Sequence, residues 1–336
     1  AALLLKRADF NVVGIHLKIS NFCNPQDEED ARLVAELLEI PFYVLDISKE
    51  YQRTIALDMI KNYALGYTPN PDVMCNRLIK FGYVYEFVKK LGAKYIATGH
   101  YAKNIKIGNK HYIGIPKDLN KDQTYFLWAI KRSLIKNIIF PLGDYTKDEV
   151  RKIAEENNLP NYNKKDSQGI CFLGKIKLID FLKEFLPESR GLILDKENNI
   201  LGYHPGYYFF TEGQRHGLNI KTGQGPYYVA IKDPKRNIIV VAKESEDILY
   251  TKKIELKNIN FLVDKEFLER IKIDENNIKI LVRCRYRQAL TPAVLDMKNK
   301  ILTFEKPIKA IAPGQSAVFY YDNILVGGAV IYKKLN

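Results

Sequence analysis

Residues 11–47, NVVGIHLKISNFCNPQDEEDARLVAELLEIPFYVLDI, decide the fold class. Residues 11–18 and 41–47 are rich in β-branched and aromatic side chains, which predicts two strands. Between them, residues 30–38 carry apolar side chains at helical spacing. A strand, a helix and a strand in this order form a βαβ unit, so we expect the two strands to be parallel.

The α/β pattern continues along the first part of the chain. Residues 76–91 place apolar side chains along one helical face, and Gly92 supplies a stop signal. Residues 94–98 then begin another strand. The sequence therefore predicts a parallel sheet that continues through at least residue 100.

Two more helices are predicted before the composition changes. Thr146 and Glu149 have the spacing of a capping box, which opens a helix that runs to about Glu156. A second helix is expected over residues 176–186. Beyond Pro187 the chain consists of short β-prone runs that Gly, Pro and Asn interrupt, so a domain boundary is expected there.

The C-terminal part is predicted to form a small β-barrel. Alternating runs occur at residues 278–285, 293–297, 301–304 and 316–321. Short strands at this spacing are typical of such a barrel. We therefore expect three domains, with an α/β domain over residues 1–187, a small mainly β domain over 188–248 and a barrel over 249–336.

Charge and composition limit the class of protein. Lys and Arg number 52 against 39 Asp and Glu, a formal net charge of +13. A polyanionic partner such as nucleic acid is one interpretation, and a generally basic proteome is the other. No apolar run approaches the roughly 20 residues of a membrane span, so no membrane association is expected. The four cysteines form no C-x-x-C pair, which favours a reducing, cytoplasmic setting over zinc or disulfides.

Residues 68–77, TPNPDVMCNR, are the first candidate for chemistry. Two prolines hold an extended loop that runs into a helix predicted to begin near Asn76. Cys75 would then lie at a helix N-terminus, where backbone N–H groups and the helix dipole favour a thiolate. Asp72 could relay a proton. The alternative is that Cys75 is a small buried hydrophobe and Asp72 a helix cap.

A second cysteine, Cys171, lies in the polar loop DSQGICF of residues 166–172. Lys164 and its neighbour just upstream could stabilise an anionic sulfur. Cys75 and Cys171 could meet and exchange sulfur or form a transient disulfide, although their spacing does not show that they do. Cys284 falls in a strand pattern, which favours a packing role.

His100 and three polar clusters are candidates for binding. Residues 97–101, ATGHY, end a predicted parallel strand, at the edge where α/β sheets bind ligands. His100 could contact a phosphate or a base there, or form a structural hydrogen bond. The clusters are Lys121-Asp122-Gln123, Gly213-Gln214-Arg215 and Arg283-Cys284-Arg285-Tyr286-Arg287-Gln288. They suit contact with phosphates and unstacked bases, or they are solvated surface charge.

A series of motifs resembles, in the same order, those of the tRNA-specific 2-thiouridylases, the family called MnmA or TrmU. The motifs are TPNPDVMCNRLIKFG, YIATGHYA, KDQTYFL, FPLGDYTKDEVR, KKDSQGICF, TEGQRHGL, YYVAIKDPKRN, RYRQ and APGQSAVFY. The resemblance implies an adenine-nucleotide alpha-hydrolase-like α/β domain with a Rossmann-like parallel sheet. A small β-rich tRNA-binding domain and a C-terminal β-barrel would follow it.

The resemblance also implies an activity. In this family, ATP activates the C2 oxygen of the wobble uridine in certain tRNAs as an adenylate, and a cysteine persulfide delivers sulfur to C2 with release of AMP. ATP would be the cofactor, with Mg²⁺ as its counter-ion and no other metal, and a persulfide donor protein would supply the sulfur. Cys171 would hold the persulfide. Cys75 would release the sulfur and could close a disulfide with Cys171, and Asp72 would be the acid or base near the uridine.

The binding residues are implied in the same way. Asn70, Pro71 and Asp72 would line the target base, while Leu17 and Gly99 would lie against ATP. The residues expected to touch tRNA are His100, Lys121, Asp122, Gln123, Arg285, Tyr286 and Gln315.

One departure from the family concerns its pyrophosphate-binding loop, S-G-G-x-D-S-S, which does not occur in this sequence. Residues 1–5, AALLL, resemble the helix that follows the loop, so we expect the loop to precede Ala1 in the natural protein. Two alternatives stay open. One is a tRNA-binding homologue without catalysis, and the other is an ATP pyrophosphatase that acts on a small molecule, as argininosuccinate synthetases do. The oligomeric state is not predicted.

Overall fold

The structure, a computed structural model, describes residues 1–20, 24–164, 176–223 and 225–335. The chain divides into two compact units. The first comprises Ala1–Ala56, Pro71–Leu178 and Asn323–Leu325, and the second comprises Leu57–Asn70, Ile179–Asp322 and Val326–Asn336. Among the helices that are described, none is long and apolar enough to cross a membrane.

The elements up to residue 164 include both α-helical and π-helical segments. The α-helices are α1 (Ala2–Arg7), α2 (Pro25–Leu37), α3 (Ser48–Tyr51), α4 (Leu57–Ala64), α5 (Pro71–Met74), α6 (Tyr85–Lys90) and α7 (Lys147–Glu156). Gln52–Ala56 and Cys75–Val84 are π-helical, and 3₁₀ turns cover Leu119–Lys121, Thr124–Phe126 and Arg132–Asn137. The strands are β1 (Gly14–Lys18), β2 (Phe42–Asp46), β3 (Ile96–Ala97), β4 (Lys103–Ile107), β5 (Lys110–Gly114) and β6 (Ile138–Ile139).

The predicted βαβ unit is confirmed. β1 and β2 pair in parallel, with Gly14 opposite Phe42, and α2 connects them. α2 begins earlier than the predicted residue 30, because Asn24 caps it and accepts a hydrogen bond from the Gln26 N–H at 3.2 Å. Pro25 suits the first helical position, where its missing N–H needs no partner.

The prediction of one sheet that continues through residue 100 is wrong. β3 pairs in parallel with β6, with Ile96 opposite Ile138, and not with β1 or β2. Over the described part of the first unit, the parallel strands therefore form two separate two-stranded ladders, and β4 and β5 form an antiparallel hairpin. Periodicity identifies a strand but not its partner, which long-range backbone hydrogen bonds decide.

The second unit is mainly β. The elements after residue 176 are α8 (Leu178–Lys183), β7 (Gly191–Leu194), β8 (Ile200–His204), β9 (Tyr227–Asp233), β10 (Ile238–Lys243), β11 (Tyr250–Phe261), α9 (Lys265–Ile271), β12 (Asn277–Arg283), β13 (Thr291–Asp296), β14 (Ile301–Lys309), β15 (Ser316–Tyr321) and β16 (Ile324–Leu335). Strands β7 to β10 form a four-stranded sheet in the order β8-β7-β10-β9.

The predicted C-terminal barrel is confirmed. Its strand order is β11-β14-β13-β12-β15-β16, and pairing between β11 and β16 closes it. Alternate side chains of β12, namely Ile278, Ile280 and Val282, are buried in the core, as the alternating pattern requires. The sequence patterns located β12 to β15 and missed the two long strands, β11 and β16, that close the barrel.

The predicted capping box of α7 is present. Thr146 Oγ1 accepts a hydrogen bond from the Glu149 N–H at 3.3 Å, and Glu149 Oε2 accepts one from the Thr146 N–H at 2.6 Å. These two bonds satisfy backbone donors that have no partner within the helix. The helix ends at Glu156, as predicted.

We expect Thr146→Ala to destabilise the first unit by about 1 kcal/mol, because an N–H at the start of α7 loses its acceptor. Thr146→Ser should keep most of the stability, since it retains the hydroxyl. Urea-induced unfolding, combined with amide hydrogen exchange across α7, measures the change. Equal stabilities for the Ala and Ser variants would contradict this account of the cap.

Candidate active site

The helix that carries Cys75 begins earlier than predicted. α5 begins at Pro71, and the π-helical stretch Cys75–Val84 and then α6 follow it in the chain without a gap. Pro71 starts a helix readily because its φ is preset and it lacks an N–H that would have no helical partner there. The predicted start near Asn76 is therefore wrong, and so is the placement of Cys75 at the helix N-terminus.

Asp72, and not Cys75, lies in the first helical turn. Cys75 follows that turn and is only 2% exposed. Because the helix dipole acts within about one turn of the helix end, it does not favour a Cys75 thiolate in the way that the sequence suggested. It favours the charged form of Asp72 instead.

Loss of water outweighs the other effects on the ionisation of Asp72. Desolvation raises the pKa of its half-buried carboxyl above the ordinary value, and the nearby Lys80 ammonium opposes that rise. A carboxyl with a raised pKa exchanges a proton more readily near neutral pH than an ordinary aspartate does. This setting supports the acid–base role expected for Asp72.

His100 is partly buried and packs against two aromatic rings. Its ring centroid lies 6.0 Å from that of Phe81 and 6.2 Å from that of Phe140, and its Nδ1 is 2.8 Å from the Thr98 hydroxyl oxygen. Burial lowers the pKa of His100 to about 3, and the positive charge of Lys80 acts in the same direction. The ring is therefore neutral at physiological pH, which suits a contact with a base better than one with a phosphate.

Lys80 is a member of this site that the sequence analysis missed. Its charge acts on both Asp72 and His100, so the three side chains share one neighbourhood of the first unit. Lys80 belongs to the π-helical stretch, where hydrogen bonds join residues five apart instead of four, a feature common at functional sites. The one signal in the sequence is the spacing of five residues between Cys75 and Lys80. A π-helix places residues five apart near one face, whereas an α-helix does not.

The Lys121-Asp122-Gln123 cluster forms part of a folded turn in the first unit. Asp122 is 3% exposed, and its Oδ1 accepts hydrogen bonds from the Thr124 N–H and hydroxyl at 3.0 and 2.6 Å. Gln123 Oε1 accepts a hydrogen bond from the Tyr101 N–H at 2.9 Å. These two side chains stabilise the turn, and Lys121 supplies its positive charge.

The residues expected near ATP lie toward the ends of parallel strands. Leu17 is the fourth residue of the five-residue β1, and Gly99 follows β3 by two residues. A Cβ added to Gly99 would meet only Leu142 Cδ1, at 3.9 Å, so the space in front of this backbone is open. A glycine in such a place allows a ligand to approach the backbone closely, and α/β folds bind nucleotides at the C-terminal ends of their strands. The backbone at Gly99 is therefore accessible to a ligand.

A cavity of about 290 Å³ lies beside Arg285 and Tyr286 in the second unit. Its other lining residues are Cys284, Arg287, Gln288, Ile308, Lys309, Ala310 and Ile311. The Arg287 guanidinium carbon is 5.2 Å from the Tyr286 ring centroid. Within the described residues, neither Arg285 nor Arg287 forms an ion pair. Two such guanidinium groups beside an aromatic ring suit contact with the phosphates and bases of RNA.

The remaining predicted residues are divided between the two units. In the second unit, Gln315 Nε2 donates to the carbonyl oxygens of Thr68 and Pro69, immediately before Asn70. Cys284 is buried, and burial raises the pKa of its thiol to about 12, in keeping with a packing role. Cys171 lies outside the described residues, so its partnership with Cys75 stays a prediction.

The fold and this site define a nucleotide-binding α/β protein with appended β domains. Family models match the chain in three consecutive stretches. They are described as tRNA methyl transferase HUP domain at residues 1–175, tRNA methyl transferase PRC-barrel domain at 179–243 and Aminomethyltransferase beta-barrel domain at 251–331.

Curated relatives match almost the whole chain, and the following three carry the name tRNA-specific 2-thiouridylase MnmA. The Karelsulcia muelleri protein is 42% identical over 98% of this chain and 94% of its own length. The Coxiella burnetii protein is 39% identical over 98% and 94%, and the Mycoplasma capricolum protein is 42% identical over 92% and 84%. The chain belongs to the tRNA-specific 2-thiouridylase family, which confirms the resemblance in the sequence motifs.

We expect the His100 ring to stay neutral from pH 8 down to pH 5, because burial lowers its pKa to about 3. Its ring resonance, assigned by its loss in His100→Gln, should keep a constant chemical shift across that range. In the unfolded chain, histidines titrate near pH 6.5, so below that pH His100 is protonated in the unfolded state but neutral in the folded state. His100 therefore removes stability as the pH falls below about 6.5. A resonance that titrates with a midpoint near 6.5 would show that the site is open to water.

Proposed function

We propose that this protein is a tRNA 2-thiouridylase, which replaces the C2 oxygen of a tRNA uridine with sulfur in an ATP-dependent reaction. The observation that carries the proposal is the match to relatives of that name over 98% of the chain at 39% and 42% identity. The match covers the segments that contain Cys75 and Cys171. In the described part of the site, the partly buried Asp72 supports a reaction that moves a proton at the base.

The roles of the individual residues follow from the family motifs and the local chemistry. Asn70, Pro71 and Asp72 line the target uridine, and Asp72 exchanges the proton of the reacting base. The neutral ring of His100 contacts tRNA through hydrogen bonding or stacking, since it carries no charge for a phosphate. Lys80 opposes the rise in the Asp72 pKa, because its positive charge favours the carboxylate.

The sulfur step uses both cysteines. The terminal sulfur of a Cys171 persulfide attacks C2 of the activated uridine, and AMP leaves with the former C2 oxygen. The Cys75 thiolate then attacks Sγ of Cys171, the sulfur–sulfur bond to the uridine breaks, and its electron pair goes to the 2-thio sulfur. The sulfane sulfur is thereby reduced, and the two cysteines are oxidised to a disulfide. A dithiol reductant reopens that disulfide before the next persulfide is loaded.

ATP supplies the activating adenylyl group when it is bound. Leu17 and Gly99 lie against the nucleotide, with Gly99 leaving room for it at the backbone. In the described ranges, no group of three or more His, Cys, Asp or Glu residues could hold a metal ion. Mg²⁺ enters as the counter-ion of the ATP phosphates.

The β domains and the turn at residues 121–123 contribute the tRNA contacts. Arg285 and Tyr286 at the barrel cavity meet phosphate and base, and Lys121 adds a positive charge from the α/β domain.

Three domains, at residues 1–187, 188–248 and 249–336, divide the tasks of catalysis and tRNA binding. The family matches support the division at 248, because they change between residues 243 and 251, whereas their first change falls between 175 and 179, before residue 187. A separate persulfide protein delivers the sulfur, and the reaction takes place in the cytoplasm.

Methyl transfer is a second candidate, because two of the matching family descriptions contain the words methyl transferase. The relatives' names and the two cysteine motifs favour thiolation. Mass analysis of nucleosides from treated tRNA separates a thio from a methyl product. ATP turnover to AMP in the absence of tRNA would instead favour a small-molecule substrate.

We expect Cys75→Ser and Cys171→Ser each to lower 2-thiouridine formation by about 10³-fold or more. Each substitution removes a sulfur atom that forms or breaks a covalent bond in the proposed reaction. The affinity for tRNA should be nearly unchanged. Cys284→Ala, which removes a buried thiol outside the reaction, serves as the matched control and should remain active. Nucleoside mass spectrometry measures the product, and normal thiolation by either Ser variant would overturn the proposed sulfur step.

Arg285→Ala should weaken tRNA binding and reduce the slope of log affinity against log salt by about 0.7 to 1, the value for one lost phosphate contact. Arg270→Ala is the control, because Arg270 Nη2 already pairs with Glu266 at 2.8 Å. Fluorescence anisotropy with labelled tRNA across a salt series gives both slopes. An unchanged slope for Arg285→Ala would remove this residue from the tRNA contacts.

A further inference from the structure

Residues 68–70 are called the 68–70 segment. Backbone groups of this segment form hydrogen bonds with the loop before β15. The Thr68 N–H donates to the Pro313 carbonyl oxygen at 2.8 Å. In return, Gln315 Nε2 donates to the Thr68 carbonyl oxygen at 3.0 Å and to the Pro69 carbonyl oxygen at 3.3 Å. The segment and the loop both belong to the second unit. Asn70, which the family motif assigns to the target base, comes directly after these bonds.

Gly314 shows how closely the two backbones approach. Its φ is +93°, a conformation that favours glycine. A Cβ added there would lie 2.7 Å from the Thr68 nitrogen and 2.9 Å from the Thr68 oxygen, inside normal contact distance. The loop itself is fixed to β16, since the Gly314 N–H donates to the Ile331 carbonyl oxygen and the Ile331 N–H donates to that of Gln315, each at 2.8 Å. The segment therefore lies against a loop that is hydrogen-bonded to β16.

A buried lysine contacts the segment through the Thr68 side chain. Lys232 is 8% exposed, and its Nζ lies 3.0 Å from the Phe210 carbonyl oxygen and 3.4 Å from Thr68 Oγ1. Burial lowers the pKa of Lys232 to about 8, and the charge of Glu212 opposes that change. Burial of an amine costs free energy unless hydrogen bonds compensate for the lost water. The oxygen atoms of Phe210 and Thr68 are the partners of Lys232 Nζ.

Two further contacts lie close to Lys232 and to the start of the segment. The Lys334 ammonium lies 2.7 Å from the Glu212 carboxylate and donates to the Ala230 carbonyl oxygen at 2.7 Å. The Tyr67 ring stacks on Tyr332 with centroids 6.4 Å apart. The chain is thus attached at several successive residues before it reaches Asn70.

We propose that Gln315 and Lys232 are positioning residues for the thiolation reaction, which hold the backbone of the 68–70 segment so that Asn70 meets the target base in one place. This inference rests on the proposed function. It gives Gln315 a role inside the protein, in addition to the tRNA contact that the family motif implies. It gives Lys232, which is too deeply buried to meet tRNA, a role that the motif comparison did not supply.

The test begins with the tRNA-free, full-length protein. Gln315→Met keeps the length of the side chain but removes its amide donors, Lys232→Met removes the ammonium, and Gly314→Ala pushes a methyl group against Thr68. Hydrogen exchange, measured by mass spectrometry on the peptide that contains Thr68, should be faster in all three variants. The control is Lys252→Met, which removes an exposed ammonium on β11 and should exchange as the wild type does.

The second measurement is single-turnover 2-thiouridine formation at saturating tRNA. A displaced reacting base lowers the rate by about 10- to 100-fold in Gln315→Met and Lys232→Met, since a shift of roughly 1 Å has effects of this size. The tRNA affinity of Lys232→Met should stay at the wild-type value. If Lys232→Met does not fold, the half-buried Gln315 and its Met variant decide the question alone.

Wild-type exchange in Gln315→Met, with weaker tRNA binding as its single effect, would overturn the proposal and leave Gln315 as a tRNA contact. Faster exchange with an unchanged single-turnover rate would overturn the link between the segment and catalysis. A wild-type protein that makes no 2-thiouridine would refute the proposed function instead. In that case the exchange data from the tRNA-free protein still decide whether Gln315 and Lys232 hold the segment.

Discussion

The start of a helix at Pro71 is the constraint on which the chemistry of the first unit depends, because it decides which side chain meets the positive end of the helix. That side chain is Asp72. The dipole stabilises a carboxylate there by about 0.3–1 kcal/mol, and by roughly 2 kcal/mol in the most favourable sites. The pKa of Asp72 is nevertheless raised, because desolvation exceeds the opposing charge of Lys80. The site therefore holds a carboxyl that gives up its proton less readily than an ordinary aspartate does.

The same geometry changes the account of Cys75. A thiol that is 2% exposed and beyond the first turn gains little from the dipole, so it needs a base to become a thiolate. Asp72 precedes it by three residues, a spacing that places two side chains on one face of a helix. In the proposed reaction, one carboxyl can thus serve both the uridine and the second sulfur step.

Local signals in the sequence located most elements but not their partners. The capping box at Thr146, the βαβ unit and the strands β12 to β15 follow from spacing and alternation within about ten residues. The Pro-Asn-Pro run predicts a loop and so hides the helix start at Pro71, although proline suits a first helical position. The pairing of β3 with β6 and the neighbourhood of Lys80 and His100 depend on contacts between distant residues. No periodicity reports such contacts.

Gln315 shows why a motif and a structure can assign one residue two compatible tasks. An amide side chain offers two N–H donors on nitrogen and an acceptor on oxygen. The nitrogen of Gln315 already meets the carbonyl groups of Thr68 and Pro69, across 247 and 246 residues of chain. A tRNA donor that meets Oε1 would bind the opposite side of the same rigid amide. Because one amide would carry both contacts, the proposed tRNA contact of Gln315 would couple tRNA binding to the position of the residues before Asn70.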